Sequence, residues 1–410
     1  MKQTFDILIV GGGAAGFFTA INAAENIPNA NIAILERGNE VLTKVKVSGG
    51  GRCNVTHAEF LPEELTKNYP RGEKELLGPF HTFMTGDTIA WFEKRGVSLK
   101  IEEDGRMFPI SDSSQTIIDC FLSEAKRLNI SIVLKQAVQK ITFEAPFWKL
   151  ETTSETFLTK KLVIATGSNP KIWKLLEGLG HTIIPPVPSL FTFTIQDPRI
   201  KDLPGVATNV TVEIISENGK SLLQTQGPLL ITHQGMSGPA ILKLSAWGAR
   251  ILEPLNYHFS IKINWLEDQT KEETLESLRQ IKLTHGKQTI VKYAQFDLPK
   301  RLWKNLIKNT GIPETITWAE ASKEQLVNIA NELTEAIFKV TGKNTFKEEF
   351  VTAGGIDLKE VNFKTFESKL HPNLYFAGEV LNIDAITGGF NFQNAWTGGF
   401  MIAKALAENS

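Results

Sequence analysis

Thr4-Phe-Asp-Ile-Leu-Ile-Val10-Gly11-Gly-Gly-Ala-Ala-Gly16-Phe-Phe-Thr-Ala-Ile21, followed by Asn31-Ile-Ala-Ile-Leu-Glu36-Arg37, is the stretch on which the fold turns. Phe5 to Val10 is a run of apolar and β-branched residues, the pattern of a strand buried on both faces in a parallel sheet. It stops at glycine. Gly11 and Gly13 allow a sharp turn and let bare backbone approach a pyrophosphate, and Gly16 lets the next helix sit close to the strand. That helix, expected from Ala14-Ala15 to about Asn26, aims unpaired N–H groups and the positive end of its dipole at the phosphates. A second apolar strand, Ile32 to Leu35, delivers Glu36 about 20 residues after the last glycine, where a carboxylate can accept hydrogen bonds from an adenosine ribose. A 2′-phosphate there would meet like charge, so the site favours FAD or NAD over NADP unless Arg37 turns inward to offset Glu36. An ordinary strand–turn–helix would use glycine for the turn alone. Here the leading strand, the helix, the second strand and the acid coincide, and that context carries the dinucleotide reading.

The chain has 410 residues, enough for a large core and for two or three domains. Lys and Arg number 44 against 45 Asp and Glu, a balance that gives no reason to expect a nucleic-acid or membrane-surface partner. No apolar stretch approaches the roughly 18 residues of a spanning helix. Asp6 and the glycine cluster interrupt what would be the apolar core of a secretory signal, so none is expected. Two cysteines, Cys53 and Cys120, without C-x-x-C spacing fit a reducing compartment, and the expectation is a cytoplasmic protein. Seven scattered histidines offer no metal-ligand spacing.

After Glu36 comes Lys44-Val-Lys-Val-Ser48-Gly49-Gly50-Gly51-Arg52-Cys53-Asn54-Val-Thr56. This glycine run can wrap backbone amides around an anionic or polar ligand, with Arg52 as a nearby positive charge, or it can be a flexible turn. It lacks the G-x-x-x-x-G-K-[ST] order of a P-loop. Helices are expected over 87–95 and 113–128, the second capped by Asp112 or Ser113 with Cys120 as a packing residue. Strands are expected over 97–101, 130–134, 137–143, 148–153, 156–159 and 162–165. The last ends in Ala165-Thr166-Gly167, a small-residue turn suited to a second backbone approach to the same ligand, and Asn169-Pro170 opens a helix.

Pro185-Pro186-Val-Pro188 reads as a stiff linker and domain boundary. Beyond it, strand-like segments at 190–195, 209–215, 222–226 and 229–232 suggest a small antiparallel sheet or barrel. In Thr232-His233-Gln-Gly-Met-Ser237-Gly-Pro239, Ser237 can cap a helix that has Pro239 in its first turn. His233 is the one candidate acid or base, set against the commoner role of a structural histidine. Polar helical periodicity between Asp268 and about Phe338 reads as a helical cap. The C-terminal run Leu374 to Trp396 restores the opening texture. A short buried strand ends at Gly378-Glu379, and Gly388-Gly389 feeds a helix from Asn391 whose positive end suits the N1/C2=O region of a reduced flavin.

The fingerprint at Gly11–Gly16, the loop Ser48 to Thr56, the segment Thr232 to Ala240 and the run Phe376 to Trp396 together resemble the bacterial BaiN/YhiN-like flavoproteins, FAD-dependent oxidoreductases related to the fumarate-reductase group. The resemblance spans essentially the whole chain. It implies an α/β fold with a Rossmann-like FAD-binding domain assembled from both termini, residues 1–186 and 345–410. Into this are inserted a β-rich, barrel-like domain at 187–265 with about 337–344 and a helical cap at 266–336. It implies pyrophosphate on Gly11, Gly13 and Gly16, adenosine ribose on Glu36, adenine near Val138, and phosphates near Thr166 and Gly167. Ser48, Gly49, Arg52, Cys53 and Asn54 would lie on the flavin side. Glu379 would bind ribityl or pyrophosphate-linked oxygens, and Asn391, Gln393 and Asn394 would lie at the isoalloxazine. Ala165, Lys44, Gly378, Asp384, Gly388 and Gly389 complete the expected cofactor set.

The expected activity is an FAD-dependent oxidoreduction passing a hydride or electron pair between a small organic substrate and flavin N5, with NAD(P)H as a transient reductant. Two alternatives stand beside it. An NAD-only dehydrogenase would be colourless, whereas bound FAD absorbs near ~450 nm. A non-catalytic flavoprotein would bind a macromolecular partner.

Overall fold

The computed structural model describes residues 2–344 and 351–408. They fall into two compact units, Met1–Val187 with Val351–Ser410, and Pro188–Phe350. The expected boundary at 345 lies outside the described residues. Among those described, no helix is long and apolar enough to cross a membrane.

The first unit is built on a nine-stranded sheet. Its parallel centre runs Leu374–Phe376, Thr156–Ile164, Lys2–Val10, Ile32–Leu35, Ser131–Val133. Ile7, Leu8 and Ile9 are buried, as a strand with both faces covered requires. Helix Ala14–Asn26 follows the glycine turn as expected. The expected strands at 156–159 and 162–165 are one strand, Thr156–Ile164. Lys160 and Lys161 interrupt its apolar pattern, but Lys2–Val10 pairs along its whole length, and on the other side its two halves take different partners. Residues 156–159 pair antiparallel with Phe147–Thr152, and 162–164 pair parallel with Leu374–Phe376.

The C-terminal helix Phe390–Glu408 packs against Ala14–Asn26. Gly399 permits this, since a β-carbon there would lie 3.0 Å from Thr19 Oγ1 and 3.1 Å from its backbone nitrogen. Phe18 meets Trp91 and Trp396 at ring-centroid distances of 4.5 and 5.2 Å, and Phe121 meets Trp396 at 5.6 Å. Helices Thr85–Glu93 and Ser114–Arg127 thereby join both terminal helices in one aromatic core. Ser113 caps the latter helix, accepting from the Gln115 N–H.

The proline-rich segment is a strand rather than a linker. Ile183–Ser189 pairs with Val351–Ile356 in a separate two-stranded ribbon. A ribbon of two strands leaves an outer side that needs no N–H donors, which is where prolines are tolerated.

In the second unit, an antiparallel sheet has the order Ala336–Val340, Phe259–Asn264, Ala207–Ile215, Ser221–Thr232, Gly235–Ser237, Thr192–Thr194, Gly342–Asn344. Its two outermost strands are consecutive in the chain, joined by Thr341, so the sheet curls back on itself. Helices Lys271–Thr284, Lys300–Asn309 and Lys323–Thr334 share one hydrophobic core with it, including Trp265, Trp303, Trp318 and Phe338. Helix Pro239–Trp247 starts at Gly238 with no side-chain cap, because Ser237 is the last residue of a strand. His233 is exposed in the turn between Ser221–Thr232 and Gly235–Ser237.

Candidate dinucleotide and flavin site

Because the central strands of the first unit are parallel, their carboxyl ends lie on one edge of the sheet, bringing together Gly11, Glu36, Ala165-Thr166-Gly167 and Gly378-Glu379. Gly11 has φ +115°, and a β-carbon there would lie 2.3 Å from the Ala165 carbonyl oxygen. A β-carbon on Gly16 would lie 2.0 Å from the Gly11 oxygen. At Gly13, by contrast, a β-carbon would meet nothing within 4 Å, and the helix beginning Ala14-Ala15 has neither a side-chain cap nor an acid in its first turn. Bare N–H groups therefore face open space at the positive end of a helix.

Glu36 is held between two glycine amides, accepting from Gly12 N–H at 2.9 Å and Gly38 N–H at 2.7 Å. Arg37 is exposed. The Glu36 backbone also pairs with Val133 and Gln136, which brings the strand beginning at Val138 toward this end of the crevice. Gly167, φ +63°, sits where a β-carbon would be 3.6 Å from Glu379 Oε2 and 3.9 Å from Lys44 Nζ. Those two side chains form an ion pair of 2.6 Å.

The glycine loop follows a single helical turn. Across Thr43–Gly51 the backbone leaves helical geometry at Ser48, Gly49 and Gly50, and all three glycines have positive φ. Gly50 and Gly51 border open space. Arg52 is turned to acidic partners, pairing with Glu102 and Asp112 and lying 3.9 Å over the Phe108 ring. Cys53 is buried, and burial pushes its thiol up to about 12. Asn54 is buried, and its Oδ1 has no hydrogen-bond partner.

The C-terminal amides divide into two kinds. Asn391 closes the turn before its helix, accepting from Ala385 N–H at 3.0 Å and donating to Ala385 O at 3.3 Å. Gln393 is saturated: its Oε1 accepts from Thr56 and Thr88 hydroxyls at 2.6 and 3.0 Å, and its Nε2 donates to Thr397 at 3.1 Å. Asn394 is fully buried with neither polar atom partnered. Gly389 lies against Asn54, since a β-carbon there would be 2.9 Å from Asn54 Oδ1. Asp384 is fully buried and ion-paired with Arg71.

Several neighbours carried no sequence signal, because their partners are hundreds of residues away. Arg71 is one. Tyr69 donates to Phe390 O at 2.6 Å, and burial holds its phenol well above the usual range, so it stays a donor. His57 stacks on Phe390 at 4.5 Å and its Nδ1 is 3.1 Å from Gly388 O. A Glu360–His181–Ser368 chain also forms, with contacts of 2.8 and 3.1 Å. It is not a nucleophile system: Ser368 is buried and its Oγ already accepts N–H groups from Leu370 and His371 at 3.1 and 3.0 Å.

The residues present fit a dinucleotide-linked flavin. The open space at Gly13, Gly50 and Gly51 and the uncapped helix start accommodate phosphates, and the unpartnered amides of Asn54 and Asn394 call for a polar ligand. An unsatisfied buried polar group costs on the order of 1–3 kcal/mol, which a hydrogen-bonding ligand would relieve.

The family described as HI0933-like protein Rossmann domain matches residues 5–405. The Escherichia coli (strain K12) protein named ribosomal RNA dihydrouridine synthase is 30% identical over 413 residues, covering 98% of each chain. A Clostridium scindens protein named 3-dehydro-bile acid delta(4,6)-reductase is 25% identical over 413 residues, again with 98% of each chain covered. Among solved structures, the 3-ketosteroid-delta4-(5alpha)-dehydrogenase of Rhodococcus jostii RHA1 superposes with a TM-score of 0.52 over 99% of this chain and 97% of that one, at 12% identity, a likeness of fold. Matched from its first strand to its last helix, the chain belongs to the HI0933-like Rossmann family and is an FAD-binding flavin oxidoreductase.

Proposed function

We propose that the protein reduces a carbon–carbon double bond conjugated to a carbonyl, and that its substrate is uridine in ribosomal RNA. The supporting observation is end-to-end similarity to a protein named ribosomal RNA dihydrouridine synthase, at 30% identity. Converting uridine to dihydrouridine and reducing a Δ4,6 bile-acid ketone are one chemistry: hydride adds to the carbon β to a carbonyl and a proton to the α carbon. Bound FAD supplies the two-electron centre at N5, with NAD(P)H as its reductant.

The chain's own residues bind and orient. Gly11, Gly13, Gly16, Thr166 and Gly167 would present backbone to the pyrophosphate, Glu36 would hold the adenosine ribose, and Val138 would border the adenine. Asn54 and Asn394 would hydrogen-bond the isoalloxazine directly, while Asn391 and Gln393, already saturated, would hold the turn and helix that carry it.

The balanced net charge led to no expectation of nucleic acid, but it averages over uneven surfaces. Helix Lys300–Asn309 buries Leu302, Trp303, Leu306 and Ile307 and exposes Lys300, Arg301, Lys304 and Lys308. A basic stripe on one helix face suits phosphate contacts. A steroid-like enone is the second reading, favoured by the bile-acid reductase relative.

Deleting the gene and measuring ribosomal RNA nucleosides by mass spectrometry tests the proposal. Loss of a dihydrouridine, 2 Da heavier than uridine, is expected, with restoration by the intact gene. Unchanged RNA, together with reoxidation of the reduced protein by a steroid enone, would favour the second reading.

A further inference from the structure

His57 lies at the junction of three elements. It ends the short strand Thr56–His57, which pairs with Arg106–Pro109. Its ring stacks on Phe390, first residue of the C-terminal helix, at 4.5 Å and 28°. Its Nδ1 reaches Gly388 O at 3.1 Å; a carbonyl can only accept, so Nδ1 carries the proton. The other face is fitted to Gly105, φ +83°, where a β-carbon would be 2.6 Å from Nε2. The ring is thus clamped against the glycine turn that precedes the helix start, half-buried rather than sealed.

We propose that His57 is a positioning residue for the flavin's redox chemistry: it fixes the Gly388-Gly389 turn, and its second proton places positive charge beside the cofactor's pyrimidine end, favouring the reduced cofactor. This rests on the reading that the isoalloxazine lies at that turn.

The surroundings leave this charge uncompensated locally. Arg106 on the paired strand is engaged by Asp104 at 2.7 Å and Glu102 at 3.2 Å. Helix Thr85–Glu93, which also packs on the strand, carries Asp87, already accepting from Met84 N–H, and Glu93, which is exposed. The first turn of the C-terminal helix holds no acid. Asp384 is paired with Arg71, Tyr69 is a neutral donor to Phe390 O, and Glu59 follows His57 on the exposed turn. Two-electron reduction leaves negative charge in the N1/C2=O region, so a proton on His57 and a reduced cofactor stabilise each other. Linkage makes the effect reciprocal: reduction must raise the proton affinity of His57.

The test is the flavin midpoint potential of the holoprotein, native and His57→Asn, at pH 6 and pH 9. Dithionite supplies two electrons and is oxidised to sulfite, and solvent supplies the protons. Asparagine keeps an N–H donor for Gly388 O without the charge. At pH 6 the variant should favour reduction about tenfold less than the native protein, about 30 mV lower for a two-electron couple. At pH 9, where native His57 is neutral, the two should coincide. A gap equal at both pH values, or none at either, overturns the proposal. If the variant fails to hold FAD, histidine NMR of the native holoprotein decides: a His57 pKa unchanged by reduction overturns it. An Asn394→Ala protein with native flavin absorption and FAD affinity would instead show that the isoalloxazine lies elsewhere, a failure of the underlying reading.

Discussion

At Gly11 the chain stands at φ +115° with the Ala165 carbonyl where a β-carbon would go. Gly11→Ala must therefore strain the backbone and push the neighbouring strand end away, at a cost on the order of 1–3 kcal/mol. Equilibrium dialysis of the folded variant should show FAD affinity reduced at least tenfold; native affinity would mean the turn is not a phosphate cradle. Cys53 poses the opposite case. With its thiol pushed up to about 12 by burial, it should resist iodoacetamide at pH 8 in the native state and react on unfolding, as mass spectrometry would record. Rapid native labelling would contradict its burial. The glycine roles were legible in the sequence because glycine spacing is a backbone property. The difference between Gln393 and Asn394 was not. The two amides are neighbours on one helix, and only Thr56 and Thr88, brought in from distant segments, leave one saturated and the other open.

Among elements, the segments around the crossing ribbon are held by the Glu360–His181–Ser368 chain, which ties the start of Ile183–Ser189 to the turns after Val351–Ile356. Burial disfavours the His181 imidazolium more than Glu360 favours it, so its pKa lies below the usual histidine value. Below about pH 6.5 the unfolded chain takes up a proton that the folded one refuses, and stability falls with acidification through that window. Above it the contribution is fully present. One proton bounds the slope at about 1.4 kcal/mol per pH unit. Urea denaturation from pH 5 to 8 should show a shallower pH dependence in His181→Gln than in the native protein; equal slopes would assign the effect to another group. Element types were well read from periodicity, as helix Ala14–Asn26 shows. Breaks inside strands were misread where lysines or prolines interrupt an apolar pattern, because pairing with a neighbour, not the local pattern, carries the strand through.

For the whole molecule, the two chain ends meet in one sheet and one helix pair. Leu374–Phe376 completes the parallel centre, and Phe390–Glu408 covers Ala14–Asn26. A chain ending at residue 350 should therefore lose the folded first unit and its yellow colour, judged by solubility and absorbance near ~450 nm. A soluble, FAD-binding product would refute the shared-sheet architecture. In the intact protein, FAD at a hundred times its Kd should stabilise folding by about 2.7 kcal/mol, read as a concentration-dependent rise in Tm.

By itself the sequence determined the local units: a glycine turn between a buried strand and a helix, an acid at the end of the next strand, and a second glycine-led helix near the C-terminus. These follow from residue spacing and backbone freedom, which act over a few residues. Tertiary structure alone decided which polar groups are left unsatisfied, that Arg52 turns to Glu102, that Asp384 is paired with Arg71, and that His57 is clamped on Gly388. Those outcomes depend on which distant side chains compete for each hydrogen bond, and that competition exists only once the chain has folded.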